Sequence, residues 1–94
     1  CLHGEGMEAN EVEAAKWFRQ AAEQEVPEAQ LLLADCYLRG RGVPEDYVLA
    51  YVWFNRASSH GLEIAEEHKR HVKRCMSHEQ IAQAQEISRT NLAA

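Results

Sequence analysis

The sequence predicts an all-α fold: an α/α superhelix in which antiparallel helix pairs stack as a right-handed solenoid, with a C-terminal capping helix. Three observations predict it. The first is an internal repeat in the 94-residue chain. Residues 2–29 and 38–65 align at an offset of 36 with nine identical pairs: Leu2/Leu38, Gly4/Gly40, Gly6/Gly42, Val12/Val48, Ala14/Ala50, Trp17/Trp53, Phe18/Phe54, Ala21/Ala57 and Ala29/Ala65. A period of this size is that of stacked helical hairpins. The second is that apolar residues in both copies recur three and four residues apart, the helical spacing. The third is a glycine pair in each copy, suited to the positive φ that ends a helix and turns the chain.

Composition narrows the function. The net charge is -5 and the pI about 5.5, which argues against nucleic acid or an anionic membrane surface as partner, since both call for a basic footprint. No apolar run approaches bilayer-spanning length, so no membrane insertion is expected. The charge is uneven: residues 1–37 carry eight acids and two bases, and the remainder seven acids and eight bases. Cys1, Cys36 and Cys75 follow no repeat spacing, so free thiols are expected rather than a disulfide framework.

Taken as one domain over residues 1–94, the chain divides into the end of a preceding repeat (1–9), a first repeat (10–45), a second repeat (46–76) and a capping helix (77–94). Residues 1–9 read as a helix tail and glycine loop whose apolar end is open to self-association. Asn10 and Asp46 stand at equivalent places as N-caps, Asn10 with Glu13 at capping-box spacing. The first helix is expected from about Glu11 to Gln24, with Ala14, Trp17, Phe18, Ala21 and Ala22 on its packing face and Lys16, Arg19, Gln20 and Glu23 opposite. Its copy, Tyr47 to Ser59, packs through Tyr47, Ala50, Trp53, Phe54 and Ala57. Trp17→Ala is expected to cost about 3–5 kcal/mol on this reading.

Pro27 suits a first helical turn. The second helix, about Glu28 to Leu38, presents Ala29, Leu32, Leu33, Cys36 and Tyr37 and stops at Gly40. The short connection makes it the antiparallel neighbour of the first. Its copy, about Leu62 to Cys75, has a sparser apolar set, Leu62, Ala65, Val72 and Met76, as expected where an array ends. Ser77 and Gln80 form a capping box for a last helix over about His78 to Thr90, with Ile81, Ala84 and Ile87 or Ser88 at helical spacing.

Two clusters carry candidate chemistry. His68, His71 and Cys75 would lie within one arc of a continuous helix, and such residues at such separations are zinc ligands; His78 follows. A metal-binding or hydrolytic domain is the alternative reading. Lys69, Arg70, Lys73 and Arg74 form a basic cluster, with Glu66 and Glu67 one turn upstream and placed to pair with it. The two Gly-x-Gly motifs are helix stops rather than phosphate loops, because no strand precedes them.

The run Ala-x-x-Trp-Phe-x-x-Ala-Ala, followed by Ala29-Gln30-x-x-Leu33-Ala34-x-x-Tyr37-x-x-Gly40-x-Gly42-Val43-Pro44-x-Asp46-Tyr47-x-x-Ala50-x-x-Trp53, resembles the consensus of the Sel-1-like repeats, relatives of the tetratricopeptide repeats. The resemblance covers residues 2–65. The tail Met76-Ser77-x-x-Gln80-Ile81-Ala82-x-Ala84-Gln85 is similar to the segment that often closes bacterial arrays. Departures are Glu25 where the family prefers Gly, Glu11 in place of the aromatic at Tyr47, and the worn second B helix.

The resemblance implies a TPR-like α-solenoid acting as a non-enzymatic adaptor or scaffold for a protein or peptide partner, with no cofactor. In such solenoids the A helices usually line the concave face. The candidate partner-binding residues are therefore Lys16, Arg19, Gln20 and Glu23 in the first A helix and Val52, Asn55 and Arg56 in the second. Val52, apolar on the outward arc, is the most suggestive of these. On this reading Val52→Glu weakens partner binding and leaves thermal stability nearly unchanged.

Overall fold

The structure, a computed structural model, describes residues 9–93. The expectations for Cys1, Gly4 and Gly6, and for self-association through the glycine loop, lie outside the described residues. Five helices follow one another: α1 (Ala9–Glu23), α2 (Pro27–Arg39), α3 (Tyr47–Ser59), α4 (Glu63–Arg74) and α5 (His78–Ala93). Among the described residues there is no strand. Helix α2 packs on α1 and α3, and α3 packs in turn on α4 and α5.

Local chemistry sets each boundary. Asp46 caps α3, its carboxylate accepting from the Leu49 amide at 3.1 Å, and the Asp46 amide donates to the Tyr37 carbonyl at 2.9 Å, tying α3 to α2. The capping box at α5 is formed in both directions. The Ser77 amide donates to Gln80 Oε1 at 3.0 Å, and the Gln80 amide donates to Ser77 Oγ at 3.1 Å. Asn10 is not a cap, because α1 is already helical at Ala9 and encloses it.

The α1–α2 turn is a Schellman motif. Val26 N–H reaches the Ala21 carbonyl, Glu25 N–H reaches the Ala22 carbonyl, and Glu25 sits at the left-handed position with φ 65°. This is where the family prefers glycine, and Gly61 (φ 97°) occupies the equivalent place one repeat later. Helix α2 ends at left-handed Gly40. Gly42, at φ 75°, lies so close to α1 that a Cβ would come within 2.2 Å of the Glu11 carbonyl oxygen. No other residue fits there, and the loop is thereby seated on the start of α1.

The core gathers around α3. Tyr51, Val52, Trp53 and Phe54 are four consecutive buried residues, and at about 100° per residue they sweep about 300° of arc. A helix apolar nearly all round has neighbours nearly all round, and α3 has α2, α4 and α5. Leu33, Ala34 and Tyr37 of α2, Val72 of α4 and Ala84 of α5 belong to the same cluster. Helix α4 buries only Ala65 and Val72, and its remaining surface is mostly charged, with Ile64 exposed.

Two packing expectations fail, for one reason. Trp17 is 67% exposed and Leu32 45% exposed, whereas Trp53 and Phe54, the repeat equivalents of Trp17 and Phe18, are 7% and 0% exposed. Residues Ala14, Trp17, Phe18 and Ala21 occupy the same arc of α1 that Ala50, Trp53, Phe54 and Ala57 occupy on α3, yet only the α3 set is fully buried. In the second repeat α2 lies on the preceding side of α3. No described helix does the same for α1.

Candidate functional site: the face of helix α1

The seven candidate partner-binding residues separate into two groups. Lys16, Arg19, Gln20 and Glu23 are exposed along one side of α1. The three from α3 are committed within the molecule. Val52 is 2% exposed in the core cluster that includes Ala84 of α5, so its placement on an outward arc is corrected: α3 has no outward arc at that position. Asn55 Oδ1 accepts from Lys69 Nζ at 3.2 Å. Arg56 pairs with Glu25 and lies 4.8 Å from the centre of the Trp53 ring, a cation–π contact.

Lys16 and Arg19 border a cleft of about 210 Å³, whose walls are Val12 and Ala15 of α1, Leu33 and Tyr37 of α2, and Gly42 and Val43 of the connecting loop. The sequence places all of these by simple rules. Val12, Ala15, Lys16 and Arg19 recur at three and four residues on α1, Leu33 and Tyr37 lie one turn apart on α2, and the loop is drawn onto α1 because Gly42 has no side chain. Arg19 Nη2 donates to Tyr37 Oη at 2.9 Å, which holds the guanidinium over the edge of the cleft. The repeat equivalents of Ala15, Lys16 and Arg19 are Tyr51, Val52 and Asn55, two of them buried and the third bonded to Lys69. The cleft therefore has no open counterpart on α3.

On the other side of the α1–α2 seam a second depression, about 280 Å³, is lined by Glu11, Ala14, Phe18, Leu32, Asp35, Cys36 and Arg41. It adjoins the exposed Trp17 face. Cys36 lies buried at its edge, and burial pushes its thiol pKa up, away from reactive thiolate chemistry.

The metal alternative finds no assembled site. Among the described residues no group of three His, Cys, Asp or Glu side chains is placed to hold a metal ion. The His68 ring stacks on Phe54, centroids 5.3 Å apart and planes 20° from parallel, while His71, Cys75 and His78 are exposed. His68 and Phe54 are the repeat equivalents of Leu32 and Phe18, two residues that line the second depression. Of the basic cluster, Lys69 and Arg70 pair with Glu66 at 3.2 and 3.8 Å. The Lys69 hydrogen bond is the leading cause holding the Glu66 carboxyl below its ordinary range.

One polar cluster escaped sequence reasoning. Glu25 reaches from the α1–α2 turn to the end of α3, where it pairs with Arg56 and meets His60 Nε2 at 3.1 Å, and it accepts from Gln30 Nε2 at 3.3 Å. The His60 contact, followed by the Arg56 charge, holds the Glu25 carboxyl below its ordinary value. Gln30 is fully buried and also donates to the Ala22 carbonyl at 3.0 Å. A glutamate at a left-handed position was the available signal, since the strain there has to be offset by contacts.

Paired antiparallel helices, stacked in register with an internal sequence repeat, define an α-solenoid of the helical-repeat class. The family pattern described as Sel1 repeat matches residues 1–26 and 27–62, and the chain belongs to this family. The second matched unit pairs α2 with α3. Among solved structures, the chain is similar to c5321, a protective antigen present in uropathogenic Escherichia coli strains that displays an SLR fold, with 36% identity and a TM-score of 0.83 over 95% of this chain. The chain spans 19% of that protein's length. Comparison with curated proteins gives no match. No described helix is long and apolar enough to cross a membrane.

Proposed function

We propose that this domain is a non-enzymatic scaffold that binds a partner protein or peptide through α1, at the cleft bordered by Lys16 and Arg19 and along Gln20 and Glu23. One observation carries the reading: α1 keeps an open, varied polar face beside an apolar-walled cleft, while the equivalent face of α3 is closed. Sel1 repeats are generally scaffolds for protein interactions, and the exposure of Lys16, Arg19, Gln20 and Glu23 supports this face for that role. Val52 and Arg56 are withdrawn from it.

The test is affinity capture with the parent chain beside a variant carrying Lys16→Glu, Gln20→Arg and Glu23→Arg, with helix content and melting temperature confirmed unchanged. A partner held by the parent and released by the folded variant supports the α1 surface. Equal retention by both removes it.

A second reading rests on the exposed Trp17. Its counterpart Trp53 is buried in the core cluster that includes Leu33, Ala34 and Tyr37 of α2, so the Trp17–Phe18–Leu32 face is suited to cover by another hairpin of the same kind. A second copy of this chain supplies one through the same face. Head-to-tail stacking is disfavoured because α4, at the other end, presents mostly charge, with Ile64 its one exposed large apolar residue, whereas a twofold contact needs only one self-complementary patch. Sedimentation velocity across a concentration series tests it: Trp17→Lys should abolish a dimer that the parent forms, and a parent that stays monomeric at high concentration refutes it.

A further inference from the structure

The first 37 residues contain eight carboxylates and only two cations, Lys16 and Arg19. Pairing is the outcome for five of the other eight cations, Arg39 with Asp35, Arg56 with Glu25, Lys69 and Arg70 with Glu66, and Arg89 with Glu86, while Arg41, Lys73 and Arg74 make no such pair among the described residues. What sets Lys16 and Arg19 apart is that they share one cleft. Among the described residues neither Lys16 nor Arg19 has a carboxylate partner. Arg19 instead donates to the neutral Tyr37 hydroxyl, which leaves most of its guanidinium donors free. Both side chains meet at one cleft, whose other walls are mostly apolar and whose volume, about 210 Å³, is below the roughly 300 Å³ at which small-molecule pockets begin. It suits one apolar side chain of a peptide rather than a whole metabolite.

Resting on the scaffold reading above, we propose that the cleft takes an acidic peptide segment. One apolar side chain enters between Val12, Leu33 and Val43, and carboxylates on either side of it pair with Lys16 and Arg19. At physiological salt charges beyond about 8 Å are largely screened. The two acids one turn away on α1, Glu13 and Glu23, are exposed, make no ion pair with Lys16 or Arg19 and do not line the cleft. Of the two acids that flank Val12, Glu11 lines the opposite depression and Glu13 lines neither. A bidentate pairing with Arg19 fixes the orientation of the bound carboxylate.

The experiment uses the isotope-labelled chain and three capped heptapeptides: Gly-Glu-Glu-Leu-Glu-Glu-Gly, the same peptide with Ser for Leu, and the same with Lys for every Glu. Amide shifts are followed at residues 12–19, 33, 37, 42 and 43. The acidic leucine peptide should move these amides, and its affinity should fall as salt is raised. Two exposed charge pairs together are worth about tenfold in affinity, so Lys16→Gln with Arg19→Gln should weaken binding by about that factor, and the Ser peptide should also bind more weakly. If the lysine peptide binds the same amides as well as the acidic one, the acidic assignment is overturned while the cleft stands as the scaffold's binding surface. If none of the three peptides moves any cleft amide, the proposal is overturned, and capture of a whole partner decides the scaffold reading separately.

Discussion

Trp17 and Trp53 are the same residue at the same register of two copies of one motif, so a pair of alanine substitutions isolates what the neighbours contribute. They differ in exposure by 60 percentage points, 67% against 7%. A tryptophan offers up to about 250 Å², so the difference is about 150 Å² of surface removed from water. At about 25 cal/mol per Å² this is nearly 4 kcal/mol, and about 3 kcal/mol once residual burial in the unfolded chain is allowed for. Trp53→Ala also leaves a cavity and frees the Arg56 guanidinium from its ring. The expectation is a loss of about 4 kcal/mol for Trp53→Ala and about 1 kcal/mol for Trp17→Ala. For a domain of this size each kcal/mol lowers the melting temperature by about 4–8 °C, so the two variants should separate by at least about 12 °C. Urea unfolding by circular dichroism at low micromolar concentration gives both values. Equal losses from the two substitutions, in a chain shown to be monomeric under the assay, would refute the reasoning, because the arc of α1 would then be covered in solution as that of α3 is.

The remaining predictions test particular contacts. Val52→Glu places a carboxylate in the α3 core with no partner and should cost about 3 kcal/mol or more, the reverse of the mild effect that an outward-facing Val52 implies; a melting temperature equal to the parent's would restore Val52 to the surface. Glu25→Gly relieves a left-handed side chain, worth about 1–2 kcal/mol, and loses the contacts to Arg56, His60 and Gln30, worth about 1 kcal/mol. It should therefore change stability by less than about 1 kcal/mol, while Glu25→Ala keeps the strain, loses the contacts and should be clearly worse; the opposite order in chemical denaturation would refute this. Because the folded-state pKa of Glu25 lies below its ordinary value of 4.5, its contribution is present above that value and is lost as pH falls through the lower folded one. Glu25→Gln should accordingly lose less stability than the parent between about pH 5 and pH 3, and parallel pH profiles would remove the contribution. Gly42→Ala, with a Cβ forced against the Glu11 carbonyl and a positive φ, should cost about 2 kcal/mol or more and shift the amides of the Lys16–Arg19 cleft; unaltered cleft amides would show that the loop does not shape it.

The architecture was legible because a repeat states its own period. Glycine pairs, an Asp46 cap, a Ser77–Gln80 capping box and apolar spacing in α4 and α5 each say where a helix starts, stops or packs, and local chemistry is enough to read them. The family resemblance added the α-solenoid and the adaptor role. Which of the candidate residues are exposed was only half legible. Periodicity tells which residues share an arc, and it assigns Lys16 and Val52 to the same arc and Trp17 and Trp53 to another. It says nothing of whether an element lies opposite. That depends on position in the stack: α3 sits between hairpin and cap, and no described helix covers α1 on its preceding side.

The information was nonetheless present in the second copy, as departure from the period rather than as period. Where α1 reads Ala15-Lys16-Trp17-Phe18, α3 reads Tyr51-Val52-Trp53-Phe54. Four adjacent apolar residues cannot belong to one face of a helix, so a solvated face for α3 was already excluded by the run itself. The same comparison gives Lys16 its meaning. In one helix the position is apolar and buried beneath a cap, and in the other it carries a cation at the edge of a cleft. Repeated units diverge where their neighbours differ, and on α1 the divergent position is exposed.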